Sequence, residues 1–299
     1  MSWGAVARKD FQDAVRSRWI WVLSALFVAM FAGSAALRFV LGSGNASAQQ
    51  NAGIVVLFVQ FMSDGAALLV PLIAIVVGYA AIVGERESGT LKLLLSLPHS
   101  RVDVVAGKVL GRSGVMALPV LLGFLIAGVV LLPAANGFAL GTFVGFALLT
   151  VLLAVVFVGI AVGISAAANT SRQAVVAAVS VFVMSTTLWG PVTGQLAGGI
   201  KDLFGLDPAG KIRVQLFLKL LNPVASYKTL VTSLIPGVTP VDARVDLFSF
   251  FIFRPPGIGE AFGDSLPLYF SDPFVVVYLL FWLVVPVGVG ALLFEQADL

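Results

Sequence analysis

Six stretches of this chain each hold about the 20 apolar residues that a helix needs to cross the hydrocarbon layer of a membrane. They cover 19–41, 64–83, 113–132, 138–165, 173–190 and 274–294. The chain is 59% hydrophobic and only 11% charged, whereas a soluble domain carries about 25% charged residues. Mean hydropathy is +1.04. Such a sequence lacks the polar side chains to cover a water-facing globule, so most of its surface faces lipid or other apolar segments. The expected fold class is an all-α integral membrane protein with six transmembrane helices. The fourth stretch is long enough to tilt or to project beyond the membrane. Before the second lies an apolar extension, 54–62, parted from it by Asp64. A carboxylate at mid-bilayer costs about 2.5–3.5 kcal/mol. Asp64 is therefore expected near the outer interface, with 54–62 as a separate outer helix.

Orientation follows from lysine and arginine in the connecting segments. Arg8, Lys9, Arg16 and Arg18 precede the first span. Arg86, Lys92, Arg101, Lys108 and Arg112 follow the second, and Arg172 follows the fourth. Segments 42–63 and 133–137 hold no basic residue. The bias predicts a multi-pass protein of the plasma membrane with both termini in the cytoplasm. The charges of both signs in 8–18 do not read as a cleavable signal. Segment 191–273 falls outside; long loops translocate whatever their charge, so its basic residues do not conflict with the rule. The whole chain, 1–299, reads as one domain. Its parts are an interfacial helix at 1–18, a cytoplasmic loop at 84–112 and an extracytoplasmic segment at 191–273.

Several chemistries lack their residues. There is no cysteine and one histidine, His99, so neither a disulfide nor a metal site built from His and Cys is expected. His99 lies in a loop away from any span, and no HExxH pattern offers a membrane hydrolase its base. Gly205-Leu206-Asp207-Pro208-Ala209-Gly210-Lys211-Ile212 imitates a phosphate-binding loop. Ile212 cannot hold magnesium as the required Ser or Thr would, and no apolar strand precedes it. No catalytic residue, metal site or cofactor of the chain's own is expected, and no basic tract points to nucleic acid. The spans are also nearly free of ionisable groups; Arg38 and Asp64 sit near outer ends. Ion-coupled carriers keep such groups inside, so the driving force is expected to come from a partner.

Two cytoplasmic elements look built for contact. In 3–18, Trp3, Ala7, Phe11, Ala14 and Val15 fall on one helical face, and Lys9, Asp13 and Arg16 on another. That pattern describes a helix lying in the headgroup plane. The loop 84–112 holds Glu85, Arg86 and Glu87 at the end of the second span, then Thr90 as a cap for a short helix with Leu91, Leu94 and Leu95 on its apolar face. Pro98 ends that helix. Ser100 and Asp103 have capping-box spacing and start the next one. There Arg101, Lys108 and Arg112 share one face, and Val102, Val105 and Val109 share another. The result is an elbow with an apolar knob at Leu97-Pro98 rimmed by charge, a surface suited to docking a partner.

At this loop the chain resembles a known family. Glu85-Arg86-Glu87-Ser88-Gly89-Thr90-Leu91, then Leu95-Ser96-Leu97-Pro98, Arg101 and Gly107-Lys108, are similar to the signature of type-2 ABC exporter permeases. The resemblance implies that Glu85, Arg86, Glu87, Gly89, Thr90, Leu91, Leu97, Pro98 and Arg101 belong to the coupling element that docks on a separate ABC ATPase subunit. It further implies that ATP is bound by that partner, with two ATPase and two permease copies per transporter. The turn 166–172 is a second contact by the same analogy. The large outer segment resembles permeases linked to copper handling and nitrous-oxide reductase maturation. Gly141, Gly145, Gly159 and Gly163 lie near one face of the fourth span, as two small-xxx-small pairs for helix packing. Two alternatives to an exporter stand beside this reading: an ion-independent channel, and a membrane scaffold or assembly factor that moves nothing.

Overall fold

The structure is a computed structural model. It describes residues 3–16, 18–42, 48–91, 100–131, 140–248, 262 and 266–297. Among these there are helices and no strand. The chain is an all-α membrane protein. Five helices are long and apolar enough to cross a membrane, and Ile20–Ala36 is a shorter apolar helix.

Two compact units divide the chain. Unit 1 (Met1–Phe182 and Trp282–Leu299) begins with α1 (Trp3–Val15), α2 (Arg18–Gly42), α3 (Ala48–Gly78) and α4 (Val83–Glu87). It continues with α5 (Arg101–Leu131) and α6 (Leu140–Ala167), takes in most of α7 (Ser171–Val183), and closes with the second half of α12 (Asp272–Gln296). Helices α1 and α2 pack on α5, and α3 packs on α6. Small residues set these contacts. A Cβ at Gly123 of α5 would lie 2.8 Å from the Phe31 ring and 3.0 Å from the Phe27 carbonyl. Phe31 in turn stacks within 4.3 Å of Phe124, which meets Phe146 at 5.1 Å between ring centroids. Buried hydroxyls return their protons to the preceding turn, as Thr150 does to the Phe146 carbonyl (2.9 Å), so no span carries an unmet donor there. Side chains such as Phe61, Leu125 and Val284 point outward and are covered by lipid chains.

In three places the helices depart from the sequence reading. First, α3 runs unbroken from Ala48 to Gly78, so 54–62 is no separate helix. Asp64 is exposed on its side, and a helix keeps its backbone bonds whatever the side chain. Second, α5 is one helix of 31 residues, not an elbow helix followed by a span. Its basic first turns are continuous with its apolar length. Third, the span expected to stop at 190 continues through a π-helical turn, Met184–Leu188, into α8 (Trp189–Phe204). The resulting helix, Ser171–Phe204, has 34 residues, about 50 Å at 1.5 Å per residue. Pro191 was read as the end because proline clashes with the carbonyl four residues earlier. That carbonyl belongs to Thr187, inside the wider π turn, where the α-helical pairing is already suspended.

The glycines expected for helix packing divide. A Cβ at Gly159 would stand 2.6 Å from Leu283 Cδ1, and one at Gly163 would run into the Pro286 carbonyl of α12. Gly290 approaches the Gly163 carbonyl in the same way. Helices α6 and α12 thus meet backbone to backbone. Gly145 is half-buried, and a Cβ at Gly141 would meet nothing within 4 Å. Gly163→Ala is expected to cost about 1–3 kcal/mol by overpacking, and Gly141→Ala close to nothing. The unfolding midpoints of the two variants in detergent check the contrast.

Unit 2 (Val183–Phe281) holds the π turn, α8, α9 (Pro208–Leu220), α10 (Pro223–Ser233), α11 (Pro240–Val245) and the first half of α12. Helices α9, α10 and α11 start alike: a side-chain cap, then proline at the first helical position. Asp207 accepts from the Gly210 N–H, Asn222 from those of Val224 and Ala225, and Thr239 forms a full capping box with Asp242. The apparent phosphate loop at 205–212 is thereby explained. Gly205, at φ 62°, ends α8 in the left-handed conformation, and Asp207-Pro208 opens α9. Asn222 also donates to the Ser185 carbonyl (2.6 Å), an oxygen inside the π turn. Lys219 donates to the Leu247 carbonyl and faces the Phe248 ring at 4.5 Å. Its burial, and then the charge of Lys228, push its ammonium below the usual lysine range.

Candidate functional site: the charged end of unit 1

The loop singled out in the sequence folds at one end of unit 1. Helix α3 can end against α6 because Gly78 lacks a side chain: a Cβ there would lie 2.6 Å from that of Ala161. The chain then turns through 79–82. Two backbone N–H groups released by that break, on Ile82 and Val83, both donate to Ser165 Oγ of α6 (3.0 and 3.1 Å). This meets the demand that a broken helix makes on its neighbours. Helix α4 follows and places Glu85, Arg86 and Glu87 in three directions.

Glu85 accepts from Lys108 Nζ of α5 at 2.6 Å. Lys108 also bonds Asp10 of α1 at 3.1 Å. Asp10 in turn pairs with Arg112 Nε at 2.8 Å, and Arg112 donates to the Val77 carbonyl at the end of α3 (3.1 Å). Lys108 and Asp10 are only 5% and 8% exposed. Two acids and two bases thus balance in a buried node that joins α1, α3, α4 and α5. Glycine makes room for it. Cβ atoms at Gly107, Gly111 and Gly114 of α5 would strike Val6, the Ala7 carbonyl and Asp10, and the Phe11 ring, at 2.7–3.0 Å.

Arg86 donates to the Ala168 carbonyl (2.8 Å) and to Asn169 Oδ1 (3.3 Å) in the turn between α6 and α7. Glu87 accepts from both the backbone N–H and the hydroxyl of Ser171, at 2.7 and 2.6 Å. That places a carboxylate on the N-terminus of α7, where the helix dipole favours it. Beyond α4, Gly89 takes φ 76°, the left-handed conformation open to glycine. Thr90 Oγ1 returns to the Glu85 carbonyl (3.4 Å), and Leu91 is buried. Leu94, Leu95, Leu97, Pro98 and His99 lie outside the described residues.

At the start of α5, Ser100 and Asp103 form the expected capping box: the Asp103 N–H donates to Ser100 Oγ (3.0 Å), and the Ser100 N–H to Asp103 Oδ2 (3.2 Å). Arg101 reaches the opposite kind of terminus. It donates to the carbonyls of Phe294, Glu295 (2.9 Å) and Ala297 (2.8 Å) at the end of α12. The guanidiniums of Arg101 and Arg86 lie 5.4 and 5.6 Å from the centre of the Phe294 ring.

The structure therefore brings together Glu85, Arg86, Glu87 and Arg101, but as an inward clasp. Among the described residues of the loop, Ser88, Gly89 and Thr90 are exposed along with Glu87. The basic face read on α5 is turned into the protein. The face of α1 that meets α5 carries Val6 and Asp10, while Trp3 is 51% exposed. Sequence reasoning missed Asp10, Ser165, Ser171 and Phe294 altogether. One signal was available: Lys108 and Arg112 each follow a glycine, at one-turn spacing on α5, which marks a face closely approached by another backbone.

A multi-pass helical bundle whose charged end is built around this loop defines a transporter permease. The family of ABC-2 transporter proteins matches residues 4–299, and the chain belongs to that family, as the membrane-embedded permease subunit of an ABC transporter. It is similar to a protein of Stutzerimonas stutzeri named as a probable ABC transporter permease protein NosY, with 32% identity over 229 residues, 75% of this chain and 78% of the relative. A protein of the same name from Pseudomonas aeruginosa is 33% identical over 227 residues, again 75% and 78% of the two chains.

Proposed function

We propose that this permease exports its substrate with energy from ATP hydrolysed by a separate ABC ATPase subunit, and that the charged end of unit 1 is where the ATPase docks. Two permease copies and two ATPase subunits make the transporter in the plasma membrane. The docking end and both termini face the cytoplasm, and the segment after α8 lies outside. The observation that carries the reading is the clasp: residues of the docking loop hold α1, the 168–171 turn, α7 and α12 at once. A push on that loop reaches every helix that ends there. The nearly uncharged spans supply no ion-coupled alternative. The relatives named NosY favour the branch linked to copper handling and nitrous-oxide reductase maturation. With no cysteine in the chain, a copper cargo would find no thiolate ligand here.

The test is co-purification of the tagged permease with its ATPase from native membranes, read by nucleotide hydrolysis in the complex. Leu97→Asp puts a charge on the expected apolar knob. It should cut recovered ATPase about tenfold, the loss of about 1.4 kcal/mol of contact, while insertion of the permease stays normal. Arg101→Glu should act in the same direction. Undiminished recovery with both variants rules the docking site out. Movement of substrate in vesicles without any nucleotide would favour a channel.

A further inference from the structure

Two helices pass from unit 1 into unit 2. One is Ser171–Phe204, which crosses from α7 through the π turn into α8; the other is α12. The loop that follows α3 grips both of them, each at its end in unit 1. Glu87 holds the N-terminus of α7 through two bonds to Ser171. Arg101 holds the C-terminus of α12 through three carbonyls. In each case the sign of the side chain is the one the helix dipole attracts: an anion on exposed N–H groups, a cation on exposed carbonyls. Fourteen residues separate Glu87 from Arg101 in sequence, so both grips move with the same short stretch of chain.

Each helix is also tied within unit 2. On α8, Trp189 Nε1 donates to the Leu218 carbonyl of α9 (2.8 Å). At the head of α12, Asp272 accepts from the fully buried Arg244 of α11 (2.6 Å) and from Ser233 of α10 (3.1 Å).

The geometry points to Glu87 and Arg101 as positioning residues that relay displacement of the loop to unit 2, through α7–α8 and α12. The proposal rests on the docking reading for the origin of that displacement; the relay itself is a property of the permease alone. The permease would then report the state of its ATPase to the segment expected outside the membrane, with no ligand passing between them.

Hydrogen exchange on the purified full-length permease, in lipid nanodiscs without ATPase, tests the relay independently of docking. Glu87→Gln and Arg101→Gln each weaken one grip. Amides at the gripped ends, 171–175 and 293–297, should exchange about fivefold faster. The relay further requires faster exchange in unit 2, at 223–233 and 240–248, with no change in α2 and in residues 115–131 of α5. Arg101→Lys keeps the charge at the helix end and should stay near wild type. Faster exchange confined to unit 1 overturns the relay and leaves the docking site untouched. Uniformly faster exchange, 115–131 included, is a loosened fold and overturns it as well. Loss of ATPase association with an intact relay would instead remove the docking reading.

Discussion

Replacing Lys108 by methionine is expected to destabilise the permease by about 3–5 kcal/mol, the usual result of removing one member of a buried ion pair. Lys108 stands between Asp10 and Glu85 at 3.1 and 2.6 Å, with 7% of its side chain accessible. Methionine fills much of the space but leaves two carboxylates sharing the single neighbouring cation, Arg112. The cost falls on desolvated charge, not on lost packing, and that gives the test its shape. A second substitution that neutralises the stranded acid, Asp10→Asn with Lys108→Met, should recover a substantial part of the loss, a coupling that a double-mutant cycle measures directly. Release of α1 should accompany the single variant, seen as new protease cleavage within 3–16 before the bundle unfolds. If Lys108→Met unfolds with the wild-type midpoint, or if the double variant is simply the sum of two singles, the node contributes no such energy.

Arg244→Met is the second large effect, about 3 kcal/mol. Arg244 is the largest fully buried side chain of the described residues. It gives two bonds to the Phe270 carbonyl (3.0 and 2.7 Å), one to Asp272 and one to Ser233 Oγ (2.9 Å). Methionine would leave the Phe270 carbonyl without this fork. Asp272 is 43% exposed on its side chain, so water offsets part of its own loss, and the estimate sits at the low end for that reason. Lysine keeps the charge but has no planar fork to serve several acceptors at once. Arg244→Lys should therefore recover less than half of the lost stability. The readout is thermal unfolding followed by exchange in 223–248. A wild-type midpoint for Arg244→Met would mean that unit 2 is held together elsewhere.

How far these features could be read from the sequence depended on the distance over which the cause acts. Hydropathy fixes helix number, because crossing a membrane needs only a local run of apolar residues. The Ser100–Asp103 cap was legible for the same reason: its two partners lie three residues apart. Gly159 and Gly163 could be picked out by one-turn spacing. Which helix they would meet could not, since Pro286 is more than 100 residues away. The ionic node was hidden. Lys108 pairs across 98 residues with Asp10 and across 23 with Glu85, and a helical wheel shows only that Lys108 lies beside Arg101 and Arg112. Like charges on one face read as a solvated surface; here they converge on opposite charges from other helices. The π turn at 184–188 has no residue signature, so Pro191 looked like a terminus. On unit 2 the repeated cap-and-proline starts were visible in the sequence. The glycine-and-lysine resemblance to a phosphate loop drew attention away from the one at Asp207-Pro208.

The glycine trough of α5 ties two distant stretches of the gene to a common history. With the Ala7 carbonyl and the Asp10 side chain seated against Gly111, and Val6 against Gly107, no methyl group fits at either position while α1 stays where it is. A lineage that acquired alanine at 111 would have to shift or shorten its first helix, and the Asp10 carboxylate would leave Lys108 and Arg112 as it did so. Change at 107, 111, 108 and 112 is thus bound to change at 6, 7 and 10, and these positions should vary together across descendants or not at all.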